Sequence, residues 1–435
     1  MPRCSPASAN RRRGRGRAGA RPSACLLLLL AFGTSIVQAA DDADPSATKA
    51  APTLTTTISY DGAAIVDASG GLRRDSTYIG NLHWQSLVDL ERAFGWNDSH
   101  FYADILWIHG GNPDAFIGDA MGVSNIAAPP GVQPEELWIE HNISAADVSF
   151  LIGLYDLNSE FYRTDSAGLF LNSSFGIGPE FGLSGIEGPS IFPRTSVGAR
   201  FGWKPAEDVV VRAALLDGVS LIRPDGSYRV FQSGDGLLGV AELALLDRPV
   251  DGAQGSSRSR LGRNANLSPY DGKLAFGAWH YATTLARFDD GAGSTQHGTS
   301  GAYLIGDRVV ARDSANPSRS TSLFVQLGAA DDRVNRFGTY LGAGVVVSGP
   351  FTARPGDELG FAVAVARNGS AYQRQQASLA PVSRAESTLE LSYLVQATAW
   401  LAVQPDLQYV IRPNTDPSIP NALVFTLRFE VARQF

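Results

Sequence analysis

The chain has two cysteines in 435 residues, Cys4 and Cys25, both near its start. Beyond them there is no thiol for a disulfide framework, a thiolate metal site or a cysteine nucleophile. Beyond the first 40 residues no segment supplies the roughly 20 uninterrupted apolar residues that a spanning helix needs, and no stretch sustains a helical repeat. The six histidines, His83, His100, His109, His141, His280 and His297, form no HExxH or comparable ligand spacing. His83, His100 and His109 read instead as loop or interface residues. A GxSxG elbow and an EF-hand loop are also missing, and GDGLLG and GAGVVVSG lack the strand and helix that a phosphate loop requires. Glu135 and Glu136 are adjacent, which sets no separation across a sugar ring. No catalytic residue, metal or cofactor is therefore expected.

What is present begins with a processing signal. Six arginines between Arg11 and Arg21 precede the apolar run CLLLLLAF and the small-residue site Val37-Gln38-Ala39. This reads as a secretory leader over residues 1–39, with cleavage after Ala39. Cys25 precedes the apolar run, which places it badly for lipid attachment. Removing the leader removes seven arginines and no acids, taking the formal charge from -7 to -14. An acidic mature chain without a basic patch argues against a nucleic-acid partner. Residues 40–53, polar and rich in Asp, Ala and Thr, read as a disordered periplasmic segment.

From residue 54 onward, short segments alternate apolar and polar residues between Gly, Asn, Asp and Pro punctuation. Leu82, Trp84 and Val88 share one parity, and His83, Gln85, Asp89 and Glu91 the other. Phe101, Ala103, Ile105 and Trp107 alternate with Tyr102 and Asp104. Val197, Ala199, Phe201 and Trp203 continue the pattern, and Val209, Val211, Ala213 and Leu215 resume it after a turn read at 204–208. Successive side chains of a strand face opposite ways. One face of each strand is therefore apolar and the other polar. Stretches 111–135, 248–270, 288–301, 312–320 and 367–385 read as longer loops.

With spanning helices excluded, the membrane fold still open is the closed β-barrel. About 380 residues accommodate roughly 16 strands with short periplasmic turns and longer extracellular loops. The predicted fold is all-β, a transmembrane antiparallel β-barrel over 54–435. A large soluble all-β domain would show similar alternation. The chain's ending favours the membrane. Leu423, Phe425, Leu427, Phe429 and Val431 would face lipid, Thr426, Arg428 and Glu430 the lumen, and Phe435 the interface. Arg433 breaks the parity where a rim position makes charge inexpensive.

The segment LIGLYDLNSEFYRTDSAGLFLNSSFGIGPEF, Leu151 to Phe181, closely resembles the carbohydrate-selective porins of Gram-negative bacteria. DLERAFGW, FYADILWIHGG, GPSIFPRTSVGARFGWKP, TLELSYLVQATAWLAVQPDLQYVIRP and NALVFTLRFE extend the resemblance over nearly the whole mature chain. It implies an outer-membrane barrel of about 16 strands passing monosaccharides such as glucose and other small solutes. The terminal aromatic also resembles the signal read by the barrel-insertion machinery, so the implied partners are carbohydrates, outer-membrane lipid and lipopolysaccharide, and that machinery. Parity makes Arg200, Arg212, Asp89, Glu91, Asp104, Glu242, Arg428 and Glu430 candidates for the lumen or for solute contact. Tyr155, Asp156, Asn158, Glu160, Phe161, Tyr162 and Arg163 cluster beside a strand end. They form either an inward element that narrows the pore or a loop held against the wall by local hydrogen bonds. A general diffusion porin without marked sugar preference is the alternative function, and a soluble periplasmic sugar-binding module is the other class left open.

Overall fold

The structure is a computed structural model and describes residues 52–247, 270–288, 293–316 and 318–435. The expected leader over 1–39, residues 40–51 of the polar segment, and residues 248–269 of one expected loop lie outside them. The strands are β1 (Leu54–Ser69), β2 (Ser76–Asp89), β3 (Ser99–Gly110), β4 (Gly131–Ile143), β5 (Val148–Tyr155), β6 (Ser196–Ala206), β7 (Val209–Asp217) and β8 (Leu237–Asp247). They continue as β9 (Gly272–Ala286), β10 (Thr295–Arg312), β11 (Ser320–Ala330), β12 (Phe337–Ser348), β13 (Glu358–Asn368), β14 (Ala385–Thr398), β15 (Leu401–Ile411) and β16 (Ala422–Gln434). Each is antiparallel to its chain neighbour, and β1 pairs with β16, so the sheet closes into a barrel. Closure leaves no strand edge unpaired, which is what a sheet needs in hydrocarbon.

The expected parity holds in β16, where Thr426 is fully buried and Phe425 and Leu427 are each 43% exposed on the outer face. Trp84, Ile105, Trp107, Leu243, Phe276, Leu323 and Phe361 extend this exposed apolar surface around the barrel. An apolar belt of this extent is an aggregation hazard in water and the normal surface of a barrel in lipid. Arg433 lies on the same outer face near the chain end, its guanidinium 5.2 Å from the Phe435 ring centre.

The start of β1 and the end of β16 lie at one end of the barrel, since Thr57 pairs with Gln434. The connection β14–β15 is confined there to Ala399 and Trp400, and β8 ends and β9 begins at the same end. Three expected boundaries move. Residues 131–135 belong to β4, residues 295–301 belong to β10, and the turn at 204–208 contracts to Glu207 and Asp208. Pro205 lies within β6 at a register slip between Trp203 and Ala206, where its missing N–H costs no ladder bond.

The longest connection is 156–195, between β5 and β6, at the end opposite the termini. It and residues 111–130, between β3 and β4, turn back into the barrel. Apolar side chains on the inner wall receive them. Phe161, Tyr162 and Phe181 pack with Trp279, Tyr281 and Tyr303, while Leu169, Phe170 and Phe175 pack with Phe324, Phe337 and Tyr340. Phe116, Ile117, Val123 and Ile126 meet Ile65, Ile79, Val410 and Val424. Two wall glycines permit the close approach. A Cβ at Gly328 would lie 1.8 Å from a Glu180 carboxylate oxygen, and one at Gly360 would lie 2.6 Å from Leu169.

Candidate functional site

The lumen contains the best-defined chemistry of the molecule. Wall side chains hold the backbone of both inward loops. Glu242 accepts the Tyr162 N–H at 3.0 Å and the Tyr303 hydroxyl at 2.8 Å. Asp307 accepts the Ser166 N–H at 2.8 Å, and Glu390 accepts those of Leu171 and Asn172. Glu386 accepts the N–H groups of Ala120, Met121 and Asn414. Gln326, Gln404 and Gln408 donate to the carbonyls of Phe175, Leu169 and Val123. A carboxylate bonded to two or three N–H groups fixes a loop more firmly than neutral pairs do.

Beside Glu242, Glu160 of the longer loop joins two strands, β6 and β7. Arg200 donates to it at 2.8 Å and also pairs with Glu140 at 2.6 Å, while Arg212 approaches Glu160 at 3.4 Å and Glu242 at 3.9 Å. The Tyr155 hydroxyl donates to Glu160 as well. Burial pushes the Glu160 carboxyl up, but Arg200 and Arg212 outweigh it and hold the group below its usual range. In the same loop, burial lifts the Glu180 carboxyl to about 7 against the opposing hydrogen bond from Tyr162.

Among the described residues, two cavities lie between loop and wall. One, with about 1450 Å³ of empty space, is bordered by Ser59, Asp61, Asn125, Asp156, Asn158, Gln404, Arg428 and Glu430. The other, about 2030 Å³, is bordered by Gln85, Trp138, Glu140, Tyr155, Glu160, Arg200, Lys204 and Arg212. Tyr102, Glu136, Ser159 and Arg163 border both. The Tyr102 ring stacks on Trp138 with centres 5.0 Å apart, and the Trp138 indole N–H donates to Glu136 at 3.2 Å. Acids, cations and an aromatic platform thus meet where the cavities adjoin.

The residues singled out in the sequence separate into three groups. Arg200, Arg212, Arg428 and Glu430 border the cavities. Arg428 also donates to Asn125 at 2.7 Å and Ser124 at 3.1 Å in the shorter inward loop. Asp104 and Glu242 face inward but are 0% and 2% exposed beneath the loops. Asp89 and Glu91 belong to the rim. Asp89 caps the helical turn Leu90–Phe94, and exposed Glu91 accepts the Asp98 N–H, which takes both away from the lumen wall. The ladder ends at Asp89, so strand parity no longer governs position 91.

The cluster in the longer loop turns inward and is held by hydrogen bonds of its own. Asp156 caps a helical turn through the Asn158 N–H, and Asn158 donates to the carbonyls of Phe161 and Gly176. Phe161 and Tyr162 are fully buried, and Arg163 donates to the Ser159 carbonyl at 3.3 Å. Glu386, Glu390, Asp307 and Trp138 are not singled out by sequence, and Tyr102 and Glu136 stand out there only for parity and adjacency. The signal was there in the inward parity of LELSY and LWIEH, but parity does not say which inward group meets a loop.

The family description "Carbohydrate-selective porin, OprB family" matches residues 73–432. The chain belongs to the carbohydrate-selective porin family. This porin is 26% identical to Porin B of Pseudomonas aeruginosa over 413 residues, covering 86% of each chain. It also superposes on the high-pH structure of Pseudomonas putida OprB with a TM-score of 0.75 at 21% identity, over 88% of this chain and 94% of that one. The low-pH structure of the same protein gives a TM-score of 0.55 at 16% identity, over 88% and 93%. Family and barrel together make this porin an outer-membrane channel, with the fold expected from the sequence.

Proposed function

We propose that the porin passes monosaccharides such as glucose, with other small solutes, passively through the space beside its inward loop. The observation that supports this most directly is the junction of the two cavities at Tyr102, Glu136, Ser159 and Arg163. A permeating sugar needs hydroxyl partners that bind weakly enough to release it. Glu136 and Arg163 supply an acceptor and a donor fork, and the Tyr102–Trp138 pair supplies an aromatic surface for the apolar side of a sugar ring. On this reading Tyr155 to Arg163 narrow the channel, and Arg200, Arg212, Arg428 and Glu430 set the field along it. Export by residues 1–39 and recognition of Phe435 by the insertion machinery belong to the same proposal, as does contact with lipid and lipopolysaccharide.

The test is solute flux through purified, refolded protein in liposomes, comparing glucose with a charged solute of similar size and scanning saccharide length. Saturable glucose flux above the charged control supports the proposal. Size-dependent leakage equal for both assigns the chain to general diffusion instead.

A further inference from the structure

We propose that His83, Asp104 and Glu135 form a buried site for a divalent cation of the zinc class, beneath the roots of both inward loops. The three residues come from β2, β3 and β4. His83 Nδ1 lies 3.1 Å from Asp104 Oδ2 and 3.3 Å from Glu135 Oε2, and one ligand atom from each falls within 4.8 Å of the others. Zinc binds imidazole nitrogen and carboxylate oxygen at about 2.0–2.2 Å, which puts the ligand atoms of a tetrahedral site about 3.3–3.6 Å apart. The observed separations approach that edge length. One imidazole and two carboxylates also match the donor set of zinc better than the all-oxygen shell of calcium.

The backbone is shaped to bring these groups together. The β3–β4 ladder passes from Asp104 opposite Glu136 to Ile105 opposite Pro134, which leaves Glu135 as the extra residue of a β-bulge. A regular strand would turn either Glu135 or Glu136 outward, whereas the bulge buries Glu135 fully and leaves Glu136 at the cavities. Gln85 donates to Asp104 Oδ2 at 2.9 Å and orients that carboxylate, as outer-shell partners of metal ligands do. Around the site, Asn81 donates to the Ile126 carbonyl and Thr195 to the Glu135 carbonyl. A bound cation would therefore tie three strands together at the points where both loops leave the wall. Full burial means that the ion enters while the barrel closes.

The decisive experiment refolds the full chain with zinc chloride, removes loosely held metal with a weak chelator, and measures retained zinc by mass spectrometry. Folding is checked by heat-modifiable gel mobility. The expected result is about one zinc per barrel, with retention reduced at least about tenfold in both His83→Gln and Glu135→Gln. Exposed histidines elsewhere would give weak binding that the wash removes. No retention by the folded protein, or equal retention in folded His83→Gln, would overturn the proposal and leave His83 as a hydrogen-bonding bridge between two acids. If neither variant folds, zinc X-ray absorption of the wild type decides. A ring nitrogen with carboxylate oxygens supports the site, and a shell without imidazole rejects it.

Discussion

The inner wall of this porin has two unlike halves. From β8 through β13 it presents aromatic and small residues, including Trp279, Tyr303, Phe324 and Tyr340, beside the loop-binding groups Glu242, Asp307 and Gln326, and the longer loop packs onto them. The cavities lie on the other half, bordered by β1–β7 and β14–β16 with their arginines, acids and amides. The loop thus does more than subdivide the lumen. It fills one side and leaves an eccentric polar route along the other. Apolar burial and the wall carboxylates together secure the loop, and the charged groups left over define the route.

The strongest challenge to this division removes the polar anchors on β14. Glu386→Ala with Glu390→Ala leaves five backbone N–H groups without their carboxylate acceptors. Docking of the longer loop, which loses the acceptors of Leu171 and Asn172, should weaken by about 2–4 kcal/mol, given a cost of about 1–3 kcal/mol for each buried group left unsatisfied and partial recovery through water, and the 111–130 loop should weaken similarly. Single-channel conductance should rise and the loop should become cleavable by protease. An unchanged conductance would mean that apolar packing alone positions the loop.

A second challenge uses pH at the packed half. Glu180 has a folded value of about 7, raised by burial above its ordinary 4.5. A raised carboxyl favours the docked state most below pH 4.5, and that contribution is lost as pH rises through about 7. The difference amounts to about 3 kcal/mol at most. Loop protection from protease should fall between pH 5 and pH 8 in the wild type and stay nearly level in Glu180→Gln. A flat wild-type profile would remove Glu180 from the account.

Changes on the polar half should be smaller and confined to solute preference. Trp138→Ala removes the partner of Tyr102, and an aromatic pair contributes about 1 kcal/mol beyond its buried area. Glucose flux relative to a charged solute should fall by several-fold with ion conductance almost unchanged. Arg433→Leu, on the outer face near the rim, should shift thermal stability by less than about 1 kcal/mol, because charge near the interface costs little. A large effect there would place Arg433 deeper in the membrane than its position next to the terminus allows.

The alternation of residues in β16 and the other strands was sufficient to read which side chains share a face, since a period of two assigns each side chain to one surface, while closure into a barrel rests on the pairing of β1 with β16. That rule stops at the inner surface. Arg200 and Arg212 were legible as inward, but their shared partner Glu160 arrives from a loop 40 and 52 residues away in sequence. Asp104 and Glu242 share the same polar parity, and the loops bury both. Glu91 failed differently, because the ladder ended two residues earlier and a helical turn replaced it. The bulge at Glu135, the pairing of loop backbone with wall carboxylates and the eccentric route arise from contacts between distant segments. Strand period is a local property of the backbone and is written along the chain. Which inward groups meet water and which meet a loop depends on how the closed barrel folds its connections into itself, and only the tertiary structure decides that.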